Sequence, residues 1–189
     1  MESRVKVLGH PLHQILLVFP LGLLATAAIF DLVYLVSRIP VWTESAYYMI
    51  GAGVIGGLAA AVPGWVDWWA IPRGTRAKRV GLVHGVGNVL VLVLFALSWL
   101  LQRPSPGAPP TEAILAALVG VVLAAGTAWL GGELVNRMGV GIDDGAHLDA
   151  PNSLSSPSAR GSARAAGDRR VARAHAYAGV ERRVTGSAR

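Results

Sequence analysis

Four long apolar stretches constrain the fold of this chain more than any other feature. Each is about 20 residues or longer, the length that an α-helix needs to cross roughly 30 Å of hydrocarbon. Glycine and proline occur inside them, which transmembrane helices tolerate. We therefore predict an all-α fold, an integral membrane four-helix bundle that forms one domain over residues 1–141, with helices at about 12–37, 45–71, 80–102 and 112–137.

The composition supports a membrane protein and excludes several kinds of site. Hydrophobic residues make up 53% of the 189 residues and charged residues only 15%. The chain contains no cysteine, which excludes disulfides, thiolate metal sites and iron–sulfur ligation by this chain. Its net charge of +6 does not indicate nucleic acid as a partner, because the basic residues lie beside the apolar stretches and in the last thirty residues, where 8 of the 17 occur.

The distribution of lysine and arginine predicts how the helices are oriented. One side of the predicted bundle carries seven such residues, which are Arg4, Lys6, Arg73, Arg76, Lys78, Arg79 and Arg137. The other side carries only Arg38 and Arg103. Positive residues concentrate on the cytoplasmic side of membrane proteins. We therefore expect a multi-pass protein in the lipid bilayer, with both termini in the cytoplasm.

The character of the sequence changes after Gly141. Residues 142–189 are rich in serine, alanine, glycine and arginine and have almost no large apolar side chains. Such a segment cannot bury a core. We expect residues 142–189 to form a disordered basic cytoplasmic tail, whose arginines either rest on anionic lipid or are simply solvated.

Ionisable side chains within the apolar stretches are the second informative feature, because they are costly in a membrane and usually face a bundle interior. The topology brings one from each helix to the cytoplasmic leaflet, namely His13, Asp67, His84 and Glu133. His10 lies just before the first helix, and Asn88 shares a helix face with His84. We predict one shared polar pocket at this end. Asp31 lies at the opposite end, and no role is assigned to it.

Two local patterns add detail near this pocket. In "HPLH", Pro11 suits the first turn of a helix, which places His10 near the cap and His13 about one turn along. In "GAGVIGG", Gly53 and Gly57 are four residues apart, a spacing that most often serves close helix packing.

A set of motifs in order along the chain resembles a known family. The motifs are "HPLH", "FPLGLL", "VPGWVD", "HGVGN" and "LGGELVNRMGVGI". Together they resemble the small bacterial membrane proteins catalogued as domain of unknown function 2231, over about residues 9–154. The resemblance implies the four-helix architecture and a bacterial cytoplasmic (inner) membrane location. Some relatives continue into a Rieske-type or cytochrome c domain, which implies an electron-transfer partner, although the cysteine-free tail here cannot be such a domain.

Several functions are compatible with these residues. A b-type haem takes axial ligands from facing helices of a bundle, and the candidate cofactor-binding residues are His10, His13, His84 and Asn88. A non-haem site for Zn²⁺ or Fe²⁺ would draw on His10, His13, His84, Asp67 and Glu133. A structural module would use the same groups in interhelical hydrogen bonds, and movement of protons or a solute is the remaining alternative. The sequence contains no nucleophile elbow, phosphate-binding loop or dinucleotide fingerprint, so no catalytic residue or enzyme activity is assigned.

The charge distribution makes the orientation testable. Reporter fusions placed after Arg38 and after Arg103 should read as extracytoplasmic, because few positive charges flank those two loops. A fusion placed after Gly74 serves as the cytoplasmic control. A cytoplasmic reading at either of the first two positions would contradict both the orientation and the shared leaflet.

Overall fold

The computed structural model describes residues 1–155 and Gly167. The chain divides into two compact units, one over residues 3–141 and one that combines residues 1–2 with residues from 142 onward. In the second unit, residues 142–155 form successive turns without a helix or strand. The rest of the predicted disordered tail, apart from Gly167, lies outside the described residues.

The first unit is mainly helical, and it confirms the predicted four apolar helices. Its elements are β1 (Lys6–Val7), β2 (His10–Pro11), α1 (Leu12–Leu16), α2 (Val18–Ser37), α3 (Pro40–Ala70), α4 (Arg76–Gln102), α5 (Thr111–Gly132) and a π-helical turn at Glu133–Arg137. Four stretches within the described residues are long and apolar enough to span a membrane: Leu12–Ser37, Pro40–Ala70, Arg76–Gln102 and Thr111–Arg137.

Local chemistry explains where the helices begin and end. Arg38 adopts a left-handed conformation, with a φ of 55°, and ends α2. α3 begins at Pro40, where a missing amide hydrogen costs nothing, and so it starts earlier than the expected position near residue 45. The Thr75 side chain accepts a hydrogen bond from the Lys78 amide at 3.1 Å and caps the start of α4.

Two prolines shape the helices from within. Pro20 has no amide hydrogen for the Leu16 carbonyl, and the first span is interrupted there at Leu17, between α1 and α2. Pro63 lies inside α3 and likewise leaves the carbonyl four residues earlier without its helical donor. Freed backbone groups in a membrane need other partners.

The helices associate as two hairpins. α2 packs most extensively on α3, and α4 packs to a similar extent on α5. α3 also contacts α4, and α2 contacts α5, so that each long helix has two neighbours. Two ends of the bundle follow from this arrangement. We call the end where α1 and α4 begin the histidine end, and the end where α3 and α5 begin the aspartate end.

Glycines allow side chains of neighbouring helices to come close. A Cβ atom at Gly53 would lie 2.6 Å from a methyl group of Leu24, and one at Gly57 would lie 2.5 Å from a methyl group of Leu92. The two glycines therefore accept leucines from two different helices, as the packing interpretation of their spacing predicts.

The most completely buried side chains lie toward the aspartate end and include Ala27, Ile50, Phe95 and Ala117, each 0% exposed. Tight packing is a main source of helix association in lipid, where the surrounding tails are as apolar as the core. The aspartate end is therefore the best-packed part of the bundle.

Phe95 offers a test of this packing. Phe95→Ala should lower the free energy of unfolding in detergent by about 3 kcal/mol or more, because it leaves a cavity in a packed core. Phe19→Ala is the matched control, since Phe19 is 69% exposed and should cost little. Equal thermal stability of the two variants would contradict the assignment of Phe95 to the core.

Candidate functional site

A short β-hairpin leads the chain into the first helix. Val7 pairs with His10 across the hairpin, and Leu8 and Gly9 both have positive φ angles, of 51° and 84°, as a type I′ turn requires. The helix begins at Leu12, with Pro11 as its N-cap residue. His10 therefore lies in the second strand with an exposed side chain, immediately before the N-cap residue, as its expected place near the helix cap predicted.

His13 lies in α1 and contacts α3 at its proline. Its Nδ1 is 2.8 Å from the carbonyl oxygen of Ala60. Pro63 lies in the next turn of α3, where it disrupts the regular helical hydrogen bonds. Gly64 provides the space, because a Cβ there would lie 2.8 Å from Nδ1 of His13. The imidazole thus occupies a notch formed by a proline-weakened turn and a glycine.

His84 lies in α4 and contacts α5 in a similar way. Its Nδ1 is 2.8 Å from the carbonyl oxygen of Thr127, and its Nε2 is 3.1 Å from the side-chain amide nitrogen of Asn88. The Thr127 hydroxyl donates to the Asn88 side-chain oxygen at 2.9 Å. The side chains of His84 and Asn88, with the backbone carbonyl and the hydroxyl of Thr127, form a closed network that links the two helices of one hairpin.

The two imidazole-to-carbonyl contacts repeat one design, and we call each a histidine dock. In both docks the acceptor is a backbone carbonyl of the next span along the chain, and a glycine follows it four residues later: Ala60 with Gly64, and Thr127 with Gly131. A Cβ at Gly131 would lie 3.1 Å from the His84 ring. Each helical hairpin therefore contains one dock near the histidine end.

The docks also determine the tautomer of each ring. A carbonyl oxygen only accepts, so Nδ1 must carry the hydrogen, and a neutral imidazole then presents a lone pair at Nε2. In His84 that lone pair faces the Asn88 amide. The histidine end thus holds two imidazoles that are oriented in the same way.

The two carboxylates predicted for the same pocket have other partners. Asp67 accepts hydrogen bonds from the Ser3 hydroxyl at 2.7 Å and from the Arg4 amide at 2.6 Å. Glu133 lies 3.3 Å from the Arg76 guanidinium and 3.9 Å from that of Arg137. The contacts of Asp67 hold the N-terminal segment against α3. The contact between Glu133 and Arg76 holds the start of α4 against the π-helical turn.

The five candidate metal ligands therefore do not converge. Within residues 1–155 and Gly167, no three His, Asp or Glu side chains lie where they could together hold a metal ion. The predicted single pocket is instead two histidine docks and two separate carboxylate contacts. Asn88 does join His84, as their four-residue spacing predicted.

Sequence reasoning missed the residues that anchor the histidines. Ala60 and Thr127 act through their backbone carbonyls, which no side-chain motif reveals. Pro63 and Gly64 were visible signals, because a Pro-Gly pair inside a membrane helix indicates a weakened turn with space beside it.

Gly64 provides a test of the first dock. Gly64→Ala should lower the free energy of unfolding in detergent by about 1–3 kcal/mol, because the added methyl group displaces the His13 ring from a packed site. Gly22→Ala is the control, since a Cβ there would meet nothing within 4 Å. The His13 dock would be contradicted if Gly64→Ala were as stable as Gly22→Ala.

Comparison with known protein families gives a match over most of the helical region. The family model described as a predicted membrane protein, DUF2231, matches residues 9–144, a region that contains both docks and all four candidate spans. No curated protein and no solved structure matches the chain. Because the match covers well over half of the 189 residues, and because the ordered motifs predict it independently, the chain belongs to the DUF2231 family of predicted membrane proteins.

Proposed function

We propose that this membrane protein binds a b-type haem through His13 and His84 and passes electrons to a redox partner. The single observation that carries the proposal is the pair of docks. Both rings direct Nδ1–H at a carbonyl, which leaves Nε2 as the ligating nitrogen. Metal-bound histidines characteristically donate their other ring hydrogen to a carbonyl or carboxylate, because this orients the ring and raises its basicity.

The positions of the two histidines suit a ligand pair. They lie on the first and third spans, which run in the same direction, and each ring contacts the following span. Bundles hold haem between histidines of facing helices. Two protein ligands are sufficient for a haem iron, whereas a structural zinc site needs four.

The surroundings add further support. A Cβ at Gly85, beside His84, would meet nothing within 4 Å, so this face of α4 has room. Arg73, Arg76 and Arg79 are exposed at the histidine end and could pair with propionate groups. Asn88 would have to release Nε2 of His84 before that nitrogen could bind iron. A bound haem would supply one-electron transfer, and the protein's part would be to orient the two rings.

The proposal includes a location. From the distribution of lysine and arginine, we propose that the histidine end faces the cytoplasm and that the membrane is the bacterial inner membrane. A soluble or membrane-bound donor or acceptor would then meet the protein from that side.

A structural module is the second candidate, and one observation favours it. Every side-chain polar group in the network of His84, Asn88 and Thr127 has a partner without any cofactor. In this alternative the docks are interhelical hydrogen bonds, each worth about 0.6–2 kcal/mol. A non-haem metal site would need a third ligand brought to the two imidazoles.

A visible spectrum distinguishes these candidates. Protein expressed with a haem precursor and purified in detergent should show a Soret band that shifts on reduction by dithionite. His84→Ala and His13→Ala should each lower the haem-to-protein ratio at least tenfold, because a bis-histidine site loses an axial ligand.

His10→Ala and His147→Ala are the matched controls and should leave the spectrum unchanged, since neither residue forms a dock. Absence of a Soret band, even after titration with hemin, would reject the haem proposal and leave the structural module. Loss of haem in His10→Ala but not in His13→Ala would reject the assigned ligand pair.

A further inference from the structure

A second polar site lies at the aspartate end, away from the histidines. Asp31, Thr43, Ser98 and Gln102 are each 0% exposed, although all four lie within candidate membrane spans. Polar and ionisable groups in such positions are expensive and usually have a function. The proposed haem site uses none of these residues.

Two of these side chains are left with an unpaired acceptor. The Thr43 hydroxyl donates to Oδ1 of Asp31 at 3.1 Å, and the Gln102 amide nitrogen donates to the Ser98 hydroxyl at 3.1 Å. Oδ2 of Asp31 and Oε1 of Gln102 are buried and have no hydrogen-bond partner among residues 1–155 and Gly167. Both atoms are acceptors when the aspartate is ionised, so the site lacks donors.

The aromatic contacts place these residues in one layer of the bundle. The Tyr47 ring of α3 stacks on the Trp99 ring of α4, with ring centroids 5.6 Å apart. Thr43 lies one helical turn from Tyr47, toward the aspartate end. On the antiparallel helix, Gln102 lies three residues from Trp99 in the same direction. Since Thr43 binds Asp31, the aspartate and the glutamine belong to the same layer. Small buried residues of α5, Ala113 and Ala117, also lie near this end.

The charged groups of this end do not neutralise Asp31. On α2, Arg38 is exposed and lies 6.0 Å from the Tyr34 ring centroid. The remaining titratable side chains near this end are Tyr34 on α2, Glu44, Tyr47 and Tyr48 on α3, Arg103 after α4, and Glu112 on α5, of which the three charged ones are exposed. No salt bridge involving Asp31 is formed among the described residues.

We propose that the aspartate end contains a proton-binding site in which Asp31 holds an exchangeable proton on Oδ2. A buried carboxylate with one unpaired oxygen and no counter-charge would carry a large desolvation cost, which a proton from water at the membrane surface removes. Protonation also converts Oδ2 from an acceptor into a donor. A layer that contains an unpaired amide oxygen needs such a donor. The proton leaves by the same route, and no other bond forms or breaks.

A proton fits this layer better than a metal cation does. A metal ion preferring oxygen ligands needs about six of them. The side chains of this layer carry five oxygen atoms between them, and two of these, Oδ1 of Asp31 and the Ser98 hydroxyl oxygen, already accept hydrogen bonds. Five oxygens are fewer than such an ion needs, whereas one unpaired carboxylate oxygen is enough for a proton.

Infrared spectroscopy tests the proposal directly. Full-length protein in liposomes should show, near neutral pH, the carbonyl stretch of a protonated carboxylic acid, and the band should shift when aspartate is labelled with carbon-13. Asp31→Asn should remove the band, and Glu112→Gln, which changes an exposed carboxylate at the same end, should retain it. Raising the pH should remove the band reversibly in the wild type, because the carboxyl group loses its proton.

Two outcomes would overturn the proposal. One is the absence of any aspartate-derived acid band near neutral pH, which would mean that Asp31 is ionised. The other is loss of the band when sodium replaces choline at constant pH, which would indicate a metal cation instead. The labelling and the sodium exchange use the wild-type chain, so they remain decisive even if Asp31→Asn fails to fold.

Discussion

The absence of water inside a membrane is the constraint on which the rest of this structure depends. A polar side chain in that environment must find its partner within the protein. His13 finds one in the backbone, because its Nδ1 donates to the Ala60 carbonyl beside the turn that Pro63 interrupts. The histidine at the entrance of the first helix thus links two spans in addition to any ligand role. A candidate cofactor ligand and a structural contact are here the same side chain.

The imidazole-to-carbonyl contact of the first hairpin is repeated in the second, so the same contact both packs two helices and orients a candidate ligand. Each hairpin places an imidazole on its first span, an acceptor carbonyl on its second, and a glycine one turn beyond the carbonyl. The repeat gives both rings the same tautomer. It is this shared tautomer, more than the number of histidines, that favours a two-ligand site. The opposite end of the bundle is packed more tightly and holds a carboxyl group instead, so the two ends differ in chemistry.

Much of the architecture was predictable because it depends on the length and polarity of continuous segments. The four spans and the common level of His13 and His84 follow from apolar stretches of membrane length. The expected convergence of Asp67 and Glu133 on the histidines is not found, because it does not follow from the length of the spans. The position of a residue near a helix end specifies how deep it lies in the membrane but not which way its side chain points. Flexible basic and hydroxyl groups nearby, such as Arg76 and Ser3, also compete with the histidines for each carboxylate.

The sequence by itself determined that this chain is a four-helix membrane protein of the DUF2231 family, because hydropathy and ordered motifs are properties of the linear chain. Only the tertiary structure decided which polar groups meet. The acceptors of both histidines are backbone carbonyls, and the unpaired oxygens of Asp31 and Gln102 become evident only when neighbouring helices enclose them. Hydrogen bonding between helices depends on rotation and close approach, and neither is encoded in any single segment.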